Sequence, residues 1–113
     1  MSAVMAGIKP AEARDLYVPD FVQEVIEHYL EKHDGLPTTE LVMQVCDDPQ
    51  VVRYQDVVTE YFLTESPLDP KQIMPFLTKR VGTYSCRRVC NNAKYARKFR
   101  IDNGINSRWE ARV

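Results

Sequence analysis

Cys86 and Cys90 stand four residues apart, and with His28 and His33 they would make up a Cys₂His₂ set for zinc. Such sites usually take their thiolates from turns at C-x₂₋₄-C spacing, and the present pair sits at the loose end of that pattern. Thiols on one helical face are far more often core residues, and we read both in that way, together with Cys46. A nucleophile such as Cys90 or Ser85 would need an oriented base beside it, and no motif supplies one. His28 and His33 flank Tyr29 and read as ordinary solvent-facing or satisfied histidines. Asp47 and Asp48 precede Pro49, where helix capping accounts for them. Neither G-x-x-x-x-G-K-[ST] nor H-E-x-x-H occurs. The chain therefore reads as non-enzymatic, with no metal and no cofactor.

What the residues do suggest is charge chemistry. The 113-residue chain carries a formal net charge of −1, which conceals a split. Residues 1–78 hold five basic and fourteen acidic groups, a balance of −9. Residues 79–113 hold ten basic groups against Asp102 and Glu110, a balance of +8. A swing of this size within one small domain favours a polyanionic partner for the C-terminal third over two merely solvated faces. Three cysteines and no basic stretch leading into an apolar run at the N-terminus point to reduced thiols. The expected location is cytoplasmic, at the nucleoid, or nuclear, and not secreted. No apolar run approaches the roughly 18 residues of a membrane span.

The elements that must position these charges follow from apolar spacing. Residues 1–15 read as a loosely ordered arm, and 16–113 as a single domain. In VPDFVQEVIEHYLEKHDG, the residues Phe21, Val22, Val25, Ile26, Tyr29 and Leu30 share one helical face, with Asp20 as cap and Gly35 as left-handed stop. Thr38 or Thr39 opens a second helix carrying Leu41, Val42, Val45 and Cys46. Asp48 and Pro49 then cap and begin a third, over 50–63, with Val51, Tyr54, Val58 and either Tyr61 or Phe62 as its stripe. Ser66 to Pro70 is a breaker. A fourth helix holds Ile73, Phe76, Leu77 and Val81, with Pro75 as an awkward interior residue. Val81-Gly82-Thr83-Tyr84 forms a tight connection, and Ser85 caps a fifth helix.

The end of the chain, RKFRIDNGINSRWEARV, reads differently. Asn103-Gly104 is a hairpin signal, and Phe99, Ile101, Trp109, Ala111 and Val113 lie at spacing two. The expected fold is thus mainly α with a small C-terminal β-hairpin. A five-residue loop over 102–106 would set Phe99 opposite Trp109.

From residue 50 onward, the order helix, helix, glycine turn, capped helix, hairpin resembles the winged helix-turn-helix, a family of DNA-binding domains. The resemblance covers 50–113 and rests on GTYSCRRVCNNAKYARKF. It implies that residues 85–97 enter the major groove while the hairpin, or wing, grips the backbone or minor groove. Carried over residue by residue, Cys86, Val89, Cys90 and Ala93 pack inward. Arg87, Arg88, Asn91, Asn92, Lys94 and Tyr95 then face the duplex. Arginine pairs bidentately with guanine and asparagine with adenine, each pair discriminating by about 1–3 kcal/mol. Thr83, Tyr84 and Ser85 would meet a phosphate at the helix start. Lys98, Arg100, Asn106 and Arg108 would decorate the wing. About six phosphate contacts would weaken binding about 10³-fold between roughly 50 and 200 mM salt.

A second stretch, VIEHYLEKHDGLPTTELVMQV (25–45), is similar to a helix-break-helix passage in the N-terminal domains of replicative helicases. That similarity implies a helical adaptor or inhibitor that contacts proteins, or a homodimer joined through the N-terminal helices. The leading expectation is a small regulator of transcription or replication, of phage or viral type, that binds double-stranded DNA and no membrane.

Overall fold

The computed structural model of the protein describes residues 16–109. The expected arm over 1–15 and the last expected wing residues, Ala111 and Val113, lie outside them. Helix α1 is Asp20–Lys32, α2 is Thr39–Cys46, a 3₁₀ segment is Pro49–Tyr54, α3 is Gln55–Glu65 and α4 is Pro70–Asp102.

Local signals explain most of these boundaries. Thr38 accepts the Leu41 N–H on its hydroxyl at 3.1 Å and starts α2. Asp48 takes the Gln50 N–H and Asp69 the Lys71 N–H, each at 2.9 Å, with Pro49 and Pro70 following as first helical residues. Each cap fills donors that a helix start leaves without partners. In α1 the N-cap is Pro19 rather than Asp20, which stands in the first turn and complements the helix dipole. Asp34 and Gly35, both at positive φ, end the helix. The expected third helix is divided. Val51 leaves helical geometry at φ −120°, so a 3₁₀ turn precedes α3.

Helix α4 is two arms, not one rod. At Gly82 the backbone takes φ 90° and ψ 163°, a region open only to glycine. The chain reverses there. The Cys86 thiol reaches back to the Met74 carbonyl, and the Arg97 guanidinium reaches the Ser66 and Leu68 carbonyls. Arms 70–81 and 83–102 therefore run antiparallel, and both pack on α3. Pro75 is tolerated inside the first arm because it faces solvent, where water can satisfy the carbonyl its missing N–H would have bonded.

One continuous core joins every element. Val22, Ile26, Leu41, Val45, Val58, Phe62, Leu63, Ile73, Leu77 and Val89 are all completely buried. Each such side chain contributes about 1.5–3 kcal/mol by leaving water.

The expected hairpin and its wing are absent. Among the described residues there is no strand, and the winged-helix fold is overturned. Residues 97–102 continue the second arm. Asn103 is its C-cap and Gly104, at φ 68°, its left-handed terminator. Ile105 N–H bonds the Arg100 carbonyl at 2.8 Å and Gly104 N–H the Ile101 carbonyl at 3.2 Å. That pair of bonds is the Schellman closure. Asn-Gly suits a positive φ in either setting, and here the helix uses it.

After the cap the chain folds back as a clasp. Trp109 stacks on Phe62 at 5.7 Å, meets Tyr61 edge-on at 5.9 Å, and donates its indole N–H to the Gly35 carbonyl at 3.0 Å. Phe99 does not face Trp109 as a wing pair; it belongs to the helical arm.

Candidate nucleic-acid interface

The arm 83–102 carries the expected binding residues, and its helical twist sorts them. Cys86, Val89 and Ala93 are buried, with Cys90 half-buried beside them. Thr83, Tyr84, Arg87, Arg88, Asn91, Lys94, Tyr95 and Lys98 are exposed. At 100° per residue these eight fall on one contiguous arc of the helix. Ser85 and Asn92 sit at its edges and are half-buried. Ser85 is not a cap, because the arm begins directly after Gly82 and places it in the first turn.

The cations expected on the wing are engaged elsewhere. Arg108 holds Glu27 through both guanidinium ends at 2.5 and 2.8 Å, bonds the Tyr61 hydroxyl, and lies 4.5 Å over the Trp109 ring. The Arg108 bond is the first cause that lowers the Glu27 carboxyl below its usual value. Arg100 pairs with Glu65 at 2.6 Å. Asn106 is exposed, but no strand presents it. Two further C-terminal cations meet acids of the N-terminal portion. Arg80 makes a two-point pair with Asp47, both bonds at 2.9 Å, and Arg88 stands 3.5 Å from Asp56. Much of the +8 segment is thus neutralised against the −9 segment within the molecule. What remains for a partner is the outer face of one helix.

On that face Arg88 keeps 44% side-chain exposure, and Lys98 reaches Asp102 one turn on at 3.2 Å. Arg87 and Lys94 make no ion pair among the described residues. Three large apolar side chains share the arc: Tyr84, Tyr95 and Ile101, at 79%, 65% and 77% exposure. Spacing two assigns Ile101 to a strand, and its place on this face becomes visible only when the helical spacing is continued past residue 97.

Arg97 has a different role, which its position at the end of the expected recognition helix did not reveal. Its guanidinium donates to the carbonyls of Leu63, Ser66 and Leu68, groups left over where α3 ends. Burial pushes its pKa down from the usual arginine value.

The thiols follow their surroundings. Cys46 is pushed up to about 11 by burial, and Cys90 to about 11 by burial and then by Cys86. Neither favours the thiolate that attack or metal binding requires. His33 bonds Gln44 at 3.0 Å. Among the described residues no three His, Cys, Asp or Glu side chains gather as metal ligands, and no helix is long and apolar enough to cross a membrane.

Searches against protein-family models, curated proteins and solved structures find no match to this chain.

Proposed function

We propose that the protein is a small, non-catalytic DNA-binding protein that grips a duplex with the outer face of arm 83–102 and serves transcription or replication. The observation that carries this reading is one-sidedness. Arg87, Arg88, Lys94 and Lys98 share an exposed arc. Asp56 stands beside Arg88 and Asp102 beside Lys98, while Arg87 and Lys94 have no ion-pair partner among the described residues. Asn91 lies at the centre of the arc, flanked by tyrosines that can pack against sugar or base edges. Acidic α1 packs on α2 and the 3₁₀ segment rather than on this arm, so it leaves the arc open to a polyanion. The missing wing changes the expected strength. About four phosphate contacts would weaken binding about 10²-fold between roughly 50 and 200 mM salt, not 10³-fold. Salt-titrated anisotropy with a random duplex tests the reading. Absence of binding at low salt, or binding indifferent to salt, rejects it.

A second reading has its own observation. Tyr84, Tyr95 and Ile101 are bare on the same arc as two arginines, and tyrosine with arginine is the usual make-up of a protein-binding hot spot. On this account the arm docks on an acidic protein, as an adaptor or inhibitor. A pull-down from nuclease-treated lysate separates the two. Partners lost with nucleic acid support the first reading, and partners that survive support the second.

A further inference from the structure

Between the end of arm 83–102 and Pro70 lies an open cavity of about 580 Å³, bordered by Cys90, Asn91, Lys94, Arg97, Lys98 and Asp102 among others. Three of those six are cations, and Lys94 lies one turn from both Arg97 and Lys98, so it neighbours each of them along the cavity wall. Arg97 is the unusual member. It is half-buried, and among the described residues no carboxylate pairs with it. Its bonds run from Nε and one terminal nitrogen to backbone carbonyls, and among the described residues Nη1 has no acceptor. A desolvated guanidinium met by carbonyl dipoles and by the unbonded charge of Asp69 still lacks a directly bonded anion, and one brought to it would recover part of the cost of its burial. Of the acids nearby, Asp102 is held by Lys98 at 3.2 Å, and Asp69 acts on Arg97 without bonding to it.

We infer that this cavity is a phosphate-binding site, in which Arg97 Nη1 and the ammonium groups of Lys94 and Lys98 take the oxygens and Asn91 supplies a neutral donor. The chemistry is that of a tetrahedral dianion or a phosphodiester. Free phosphate and a nucleic-acid backbone offer the same group. The site shares Asn91, Lys94 and Lys98 with the duplex-binding face but does not depend on that face being used.

The test is an NMR titration of the full chain with inorganic phosphate, at ionic strength held constant with chloride. Saturable shifts are expected at the Arg97 Nε–H and at the amides of Asn91, Lys94 and Lys98. Lys94→Gln and Lys98→Gln, both at exposed positions that leave the fold intact, should together weaken phosphate binding at least about tenfold. Lys79→Gln, an exposed cation of the first arm outside the cavity, should leave it unchanged. Linear, unsaturated shifts, or equal affinity in the double variant, would overturn the site. A duplex oligonucleotide serves as the second probe. If it moves the Arg97 resonance and phosphate competes it away, the backbone is the ligand. If phosphate binds and the duplex leaves Arg97 unmoved, the ligand is a free phosphate and the site stands whatever becomes of the DNA-binding reading.

Discussion

Two arginines show how little a charge count says about a side chain's work. Arg97 holds three carbonyls at the end of α3 and in the loop after it. Arg97→Ala would strip partners from half-buried acceptors and should cost about 3 kcal/mol in urea unfolding, since each orphaned acceptor costs about 1–3 kcal/mol and water recovers part of this. Arg97→Lys should recover only a fraction, because one ammonium cannot span the fork. Arg108 works at the surface, so its pair with Glu27 is worth at most about 1 kcal/mol. Its pH signature is nonetheless definite. The Glu27 pKa is lowered in the folded state. Its contribution is therefore fully present above the unfolded carboxylate pKa and is lost as pH falls through the lower, folded value. Comparing wild type with Glu27→Gln by chemical unfolding between neutral and acid pH should show a stability gap that closes on acidification. A gap independent of pH would mean that the pair contributes nothing.

At the scale of elements, glycine separates what the sequence made legible from what it did not. The helix starts at Thr38 or Thr39 and at Asp48, the break at 66–70 and the tight connection at Gly82 are legible, because each depends on one or two residues with narrow conformational preferences. The Asp69 cap, by contrast, is hidden inside the break. Asn103-Gly104 is ambiguous because its preference, a positive φ, serves a hairpin and a helix end equally. Apolar residues at 99 and 101 looked like alternation. Yet 85, 89, 92, 96 and 99 continue the helical spacing along the side of the arm turned toward the molecule, and the longer pattern prevails. The two glycines should respond differently to substitution. A Cβ would meet no atom within 4 Å at either site, so only backbone strain differs. Gly104→Ala, in the left-handed helical region, should cost about 1 kcal/mol. Gly82→Ala, at φ 90° and ψ 163°, lies where only glycine is at ease and should cost about 2 kcal/mol or more. Thermal unfolding of the pair checks the order, and equal losses would mean that the reversal at 82 relaxes into a straighter helix.

For the molecule as a whole, the question is which cations of the C-terminal third are offered outward. Their segregation in sequence was plain, but pairing across the fold could not be read from it, because Arg108 meets Glu27 across 81 residues and only the folded clasp brings them together. The salt dependence of DNA binding can tell the two arrangements apart. Replacing a cation that touches a phosphate should lower the slope of log affinity against log salt by about one, while replacing a cation engaged within the protein should not. Arg87→Gln is therefore expected to reduce the slope by about one and leave stability within about 0.5 kcal/mol. Arg108→Gln is expected to do the reverse, lowering stability while the slope holds. If Arg108→Gln flattens the slope instead, Arg108 must leave Glu27 and contact a phosphate itself. Measuring both variants on one duplex, at several salt concentrations, decides whether the helix face or the chain end holds the polyanion.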